Sequence, residues 1–298
     1  MKLALKIDVD TYRGTREGVM PLVSLLQQMG AQATFLFSLG KDHTGWAIKR
    51  AFKPGFMKKV SRTSVLEHYG LKTLLYGTLL PGPDIGRRCT EIMRKVGSEG
   101  FETGIHTWDH VKWQNNVADK DAAWTAHEMK SAAMRYEDIF GEPAHVHGAA
   151  GWQMNPHAFR LTQQLGFRYA SDTRGKSPFI PVQNAEIIAC PQLPTTLPTL
   201  DELIGSVEDP AAHLFELCEN PPETGHVYTL HAELEGMKLI SLFEKLLQGW
   251  KERGFELVSL EQYFESLQHK DFPRHEIVYE EIPGRAGNLA MQGREFLA

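Results

Sequence analysis

Residues 3–10 read Leu3-Ala4-Leu5-Lys6-Ile7-Asp8-Val9-Asp10, a largely apolar run that closes on two aspartates. Such a run has the pattern of a buried strand. Side chains alternate between the faces of a strand, so Asp8 and Asp10 project to the same side. Two carboxylates packed together repel unless a cation lies between them or one is protonated. The pair therefore reads as a metal site or an acid–base dyad. The plainer alternative is a strand-end turn with solvated aspartates.

The same rhythm recurs along the chain. Strands are predicted over 3–9, 33–37, 103–106, 146–149, 169–171, 186–190, 225–231 and 256–259, with helices over about 16–29, 122–140, 156–165 and 237–249. Strands that alternate with helical crossovers make an α/β fold. They close into a (β/α) barrel whose working end is formed by the C-terminal strand ends. With 298 residues and 42% apolar content the chain can bury one large core. The expected organisation is a barrel over 1–268, interrupted at about 41–83 by an insertion too long for a βα loop. A tail or extended flap follows over 269–298, where charged and small residues alternate with little periodicity.

Two further motifs fall at predicted strand ends. In Gly104-Ile105-His106-Thr107-Trp108-Asp109-His110 the histidines are four apart; one helical turn would bring them onto one face, where two imidazoles can grip a divalent cation. Two surface histidines would show the same spacing. In Val227-Tyr228-Thr229-Leu230-His231-Ala232-Glu233 an apolar strand delivers His231 to the same barrel end, either as a general acid or as a histidine satisfied by a backbone carbonyl. Taken together, an aspartate and two histidines leave a divalent ion open positions for water and a substrate carbonyl, which metal-assisted hydrolysis needs.

The order of these motifs, over about residues 1–262, resembles the polysaccharide deacetylases with a NodB homology domain. The resemblance implies a distorted (β/α) barrel and a metal-dependent amidohydrolase. Asp8 would be the base, and Asp10, His106 and His110 would hold one divalent ion (zinc, cobalt, manganese or iron). His231 would be the acid. Ala33-Thr34-Phe35-Leu36-Phe37 resembles the family's second strand. Val9 separates aspartates that are usually adjacent, so the reverse assignment of Asp8 and Asp10 stays open. Where an arginine and prolines are usual, this chain has His147-Gly148-Ala149-Ala150-Gly151-Trp152, and His147 is the candidate replacement. Asp172, after another strand, would position His231 or a sugar hydroxyl, or cap a helix. Arg13, just beyond the first motif, would contact a substrate phosphate or be simply solvated.

Charge narrows the partners. A formal net charge of -5 argues against a general nucleic-acid binder. Within 41–62, however, seven basic residues face one acidic residue, interleaved with Trp46, Ile48, Phe52, Phe56, Met57 and Val60. That composition suits either a segment lying on anionic lipid or a solvated lid. No window approaches the roughly 18 apolar residues of a spanning helix. The N-terminus lacks the pattern of a signal peptide. Cys89, Cys190 and Cys218 fit neither a zinc spacing nor an even disulfide set, so they read as core fillers in a reducing compartment. Runs over 6–14, 62–86, 148–155 and 191–205 resemble those family members that act on an amino sugar carried by a polyprenyl lipid. That implies formamide cleavage at the cytoplasmic face of the inner membrane, in lipid A modification and polymyxin resistance. Alternatives are another carbohydrate N-deacetylase of the same superfamily and a catalytically silent membrane-docking module.

Overall fold

A computed structural model describes residues 1–47, 72–267 and 271–297. The first strand, β1 (Lys2–Val9), is buried along almost its whole length, as its apolar run requires. Next come β2 (Thr34–Ser38), β3 (Glu102–Thr107), β4 (Val146–His147) and β5 (Tyr169–Ala170), which lie side by side in the order β5-β4-β3-β2-β1. After β6 (Ile180–Gln183) and β7 (Glu186–Ile187), which belong to a second sheet, β8 (His226–His231) joins the far side of β1. The strand β9 (Glu256–Val258) pairs with Lys2–Ala4. Every pairing in this seven-stranded sheet is parallel. The protein is thus an α/β half-barrel, as the sequence leads one to expect. Its gap between β5 and β8 is bridged by residues 191–197: Leu193 N donates to Ala170 O at 2.7 Å, and Thr196 N donates to Val227 O at 3.0 Å.

The pleat sorts the side chains. Leu3, Leu5, Ile7 and Val9 join Phe35, Phe37 and Ile105 in the large core between sheet and helices. Ala4 points the other way, into the barrel, with Leu36, Val146, Tyr169 and Val227. Lys6 and Asp8 share that interior face. Outside, the helix Val19–Met29 buries Val19, Leu22, Val23, Leu25 and Leu26 at helical spacing. It stops at Gly30, whose left-handed backbone (φ 57) returns its N–H to the last turn. The helix Ala122–Phe140 starts where the Asp121 carboxylate accepts from Trp124 N. The helix expected over 237–249 begins later, at Ile240. Its predecessors instead form turns that pack Gly236 against the carbonyls of Gly18 and Ala232. Short helices at Ile85–Arg88, Thr90–Ser98, Pro210–Leu217 and Leu260–Ser266 were not anticipated.

The C-terminal region differs from the expected tail. Strands β10 (Arg274–Glu281) and β11 (Asn288–Glu295) form an antiparallel hairpin, and β10 extends β6 in parallel. The free side of β11 is held as well, since Gln292 N donates to Arg174 O at 2.8 Å. The pairings that hold the hairpin, of β10 with β6 and of β11 with Arg174, are with residues about a hundred positions away and leave no local pattern. The run expected as a strand over 186–190 supplies only the short β7 of this second sheet. Of the insertion expected over 41–83, residues 48–71 lie outside the described residues, and with them most of the basic and apolar segment. Its described ends hold a helical turn before residue 48 and the turn Thr73–Leu75. Among the described residues no helix is long and apolar enough to cross a membrane.

Two consequences follow for stability. Gly18 packs directly on the chain after β8, where an added Cβ would lie 2.0 Å from Ala232 O, whereas one at Gly97 would meet nothing closer than 3.8 Å. Gly18→Ala should therefore cost about 3 kcal/mol or more, while Gly97→Ala, inside a helix, should gain up to about 1 kcal/mol; denaturant titration of both variants reads the difference. At the opposite barrel end the Glu102 carboxylate accepts from Tyr169 OH, Thr34 Oγ1 and Glu261 N. Burial nonetheless pushes its pKa up to about 7. A carboxyl raised in this way stabilises the fold below its unfolded pKa, and that stabilisation is lost as pH rises through the folded value. Between about pH 5 and pH 8, wild-type stability should fall relative to Glu102→Gln by up to about 3 kcal/mol.

Candidate metal centre and active site

Four strand ends converge at one mouth of the barrel. Asp8 stands in register with Leu36 of β2 and with His231 of β8. Asp10 follows one pleat later, and His106 comes from the end of β3. His110 is the first residue of the helix His110–Asn116, which is capped by the Asp109 carboxylate accepting from Lys112 N at 3.0 Å. The two histidines therefore do not share a helical face as their spacing suggests. One ends a strand, the other opens a helix, and the turn between them brings the ring centroids to 5.3 Å.

Asp10 lies between them. Its Oδ1 is 3.2 Å from His106 Nε2 and its Oδ2 is 3.3 Å from His110 Nε2. Ligand atoms of the three side chains all fall within 4.8 Å of one another. His106 Nδ1 donates to Gly148 O at 2.7 Å; a carbonyl can only accept, so the neutral ring carries its lone pair on Nε2, facing Asp10. Burial by itself would raise the Asp10 pKa, but the positive charge of the two imidazoles when protonated, His110 first, outweighs it and holds the carboxyl far below the usual range; with the rings neutral, a bound cation would supply that charge. Asp10 Oδ1 is buried without a hydrogen-bond partner. A buried carboxylate with an unused oxygen, faced by two imidazoles, fits a divalent cation, and two nitrogens with one oxygen suit a borderline transition ion.

Asp8 is placed differently. Its Oδ2 is 3.3 Å from the ammonium of Lys6, which is wholly buried. Its Oδ1 has no hydrogen-bond partner and lies 3.7 Å from His106 Nδ1. Lys6 also donates to Ser171 O at 3.1 Å and sits 5.2 Å from the centre of the Trp152 ring. The cation beside this aspartate thus comes from its own strand, two residues earlier. The alternation that pairs Asp8 with Asp10 on one face places Lys6 there as well, so the signal was present in the sequence.

On the other side, His231 donates its backbone N–H to Glu235 at 2.9 Å. Its Nδ1 is buried without a hydrogen-bond partner, 3.8 Å from Asp201 Oδ1. Glu233 braces the end of β1: its Oε1 accepts from Asp10 N at 3.0 Å and from Thr11 N and Thr11 Oγ1 at 2.8 Å each. Burial, then the adjacent Asp10 charge, drives the Glu233 pKa well above the ordinary range. Burial likewise pushes Glu235 up to about 7, against the opposing pull of His231. The wall of the mouth is the loop Ala150–Trp152, where Gly151 (φ 62) and Trp152 (φ 53) are both left-handed. The guanidinium groups of Arg174, at 4.9 Å, and Arg285, at 4.8 Å, both pack on the Trp152 indole.

Two expected site residues do not join this group. His147 is in register with Ile105 and turns with it to the helix-packed face, where its ring stacks on Phe167 at 5.5 Å. Asp172 is wholly buried beside it, accepting from His147 Nδ1 at 2.7 Å, Ala149 N at 2.8 Å and Gln192 Nε2 at 3.2 Å. The pair supports the 147–152 loop from behind, and Asp201 takes the place beside His231 that Asp172 was expected to fill. Arg13 lies at the near turn, its Nε 2.8 Å from Glu17 Oε2. Sequence reasoning passed over Asp201, Glu233 and Arg285 because their contacts join segments far apart in the chain.

Residues 4–170 match the family profile described as polysaccharide deacetylase. Over 297 residues the protein is 39% identical to a protein of Shewanella sediminis (strain HAW-EB3) named as a probable 4-deoxy-4-formamido-L-arabinose-phosphoundecaprenol deformylase, covering 98% of this chain and 94% of that one. A protein of the same name from Wigglesworthia glossinidia brevipalpis is 32% identical over 285 residues, covering 94% of this chain and 98% of that one. The crystal structure of a Mycobacterium smegmatis protein assigned to the polysaccharide deacetylases shares the fold, with a TM-score of 0.62 over 94% of each chain at 14% identity. By sequence, by strand order and by the residues gathered at its mouth, this chain belongs to the polysaccharide deacetylase family.

Proposed function

We propose that the protein is a metal-dependent deformylase that hydrolyses the formamide of 4-deoxy-4-formamido-L-arabinose linked to undecaprenyl phosphate, releasing formate and a free sugar amine. The observation that carries the reading is the grouping of Asp10, His106 and His110 between two other candidates, Asp8 and His231, at one barrel mouth. The two relatives with near full-length similarity support the choice of substrate.

Amide hydrolysis needs an activated carbonyl, a deprotonated water and a proton for the departing nitrogen. Asp10, His106 and His110 would hold one divalent cation, which when bound polarises the formyl carbonyl and lowers the pKa of water. Asp8, with its unpartnered Oδ1, accepts the proton of the attacking water. Lys6 keeps Asp8 from swinging away, through an ion pair formed out of water where it is little screened. His231 gives a proton to the leaving nitrogen as the tetrahedral intermediate collapses. Arg13, on the turn that follows the first motif, is the candidate for the sugar-linked phosphate.

A substrate with a polyprenyl tail is met at a bilayer surface, and we place that contact on residues 41–62, within the insertion over 41–83. Its basic and apolar composition supports the reading. So does its described end, where Leu79 and Leu80 are exposed. This corresponds to peripheral association with the cytoplasmic face of the inner membrane.

Formate release from the lipid-linked formamido sugar, with and without chelator, tests the reaction. Asp8→Asn should lower turnover by about 100-fold or more while the purified protein still carries its metal. His110→Ala should lose both metal and turnover. Full activity in either variant, or activity untouched by chelator, would remove these roles.

A further inference from the structure

The structure assigns Arg285, at the tip of the C-terminal hairpin, as a positioning residue for His231, acting through Asp201. The assignment rests on the hydrolase reading above, in which His231 supplies a proton to the leaving nitrogen.

Asp201 lies on Leu200–Leu203, a single helical turn of four residues. One turn closes few of its own hydrogen bonds and is held mainly by what it packs against. A capping box between Thr199 and Glu202 closes the turn on itself, and Arg285 ties it to the hairpin. Arg285 Nη2 is 2.8 Å from Asp201 Oδ1 and 2.6 Å from Thr199 Oγ1, and its Nε is 2.7 Å from Glu202 Oε1. The same Glu202 oxygen accepts from Arg174 Nη1 at 2.7 Å, and both guanidinium groups pack on Trp152. One planar, permanently charged group thus fixes the cap residue and two carboxylates of the short turn together, a task that suits a guanidinium and not an ammonium.

The fixed atom matters to His231. Asp201 Oδ1 lies 3.8 Å from His231 Nδ1, and that nitrogen has no hydrogen-bond partner. A carboxylate there favours the tautomer with a proton on Nδ1 and orients the ring, so that Nε2 can exchange protons with a substrate. Catalytic contacts of this kind are often long before substrate binds and shorten afterwards. Without Arg285, Asp201 Oδ1 would keep the Thr199 hydroxyl that also donates to it but lose its charged partner, the one that ties it to the hairpin. The hairpin, which lies beyond the family's matched residues 4–170, would then be part of the proton-donating machinery.

The test is a double-mutant cycle on the full chain, measuring formate release from the lipid-linked formamido sugar together with bound metal. Arg285→Met and Asp201→Asn should each lower kcat by about 10- to 100-fold, with KM changed less than about 3-fold and metal content unaltered. The double variant should be no slower than about 2-fold below Asp201→Asn, because both changes remove one interaction. Arg285→Lys should recover part of the loss, and it carries the test if Arg285→Met does not fold. Losses that multiply in the double variant, an unchanged kcat in Arg285→Met, or a fall in metal content parallel to kcat would each overturn the assignment. Wild-type protein in the same assay separates the two levels: if it releases no formate, the hydrolase reading falls and this role with it, whereas an active wild type with multiplying losses removes the role of Arg285 alone.

Discussion

A lysine ammonium with no exposure to solvent sets the terms for the barrel interior. Lys6 can be charged there only because Asp8 stands two residues further along the same face, with Ser171 O and the Trp152 ring completing its surroundings. A buried charge without such partners would cost several kcal/mol. The remaining interior follows from this pair. Gly148 must lack a side chain, since a Cβ would lie 2.4 Å from Leu36 Cδ1 and 2.9 Å from Lys6 Cε. Gly148 in turn presents the carbonyl that fixes the ring of His106. The orientation of a prospective metal ligand therefore depends, through one glycine, on the barrel interior that Leu36 and Lys6 fill together.

That chain of dependence explains what the sequence made legible. The period-two pattern of 3–10 identifies β1, its inward face and both aspartates, because all three are properties of a single segment. His231 was visible because it closes an apolar strand, and His106 and His110 because they lie four apart after a predicted strand. His147 was misplaced by one step of the same pleat. Counting from Val146, which points into the barrel, puts His147 on the outer face. The reading had followed a motif position and overlooked the parity of the strand.

Contacts between distant segments were not legible. Asp201 reaches His231 across 30 positions and Arg285 reaches Asp201 across 84. Neither spacing has a local period, and a helix of four residues leaves no amphipathic trace. The hairpin of β10 and β11 was read as a tail for a related reason: its first strand is charged or polar outside Ile277-Val278-Tyr279, and the partners that hold it in β6 and around Arg174 lie about a hundred positions earlier. The short strand β7, by contrast, falls where an apolar run had been predicted, although it serves the second sheet and not the barrel.

The late position of that hairpin has a consequence for the order in which the protein is made. Residues 1–231 contain all the strand ends that form the mouth, and a nascent chain can begin to pair them as it emerges. The arm that steadies Asp201 arrives only with Arg285, and the hairpin closes only when residue 295 has left the ribosome. During that interval the barrel has its charged interior but an unbraced turn beside His231. Synthesis and competence are thereby separated in time, and a chain interrupted before the hairpin would hold the ligand set without the geometry around it.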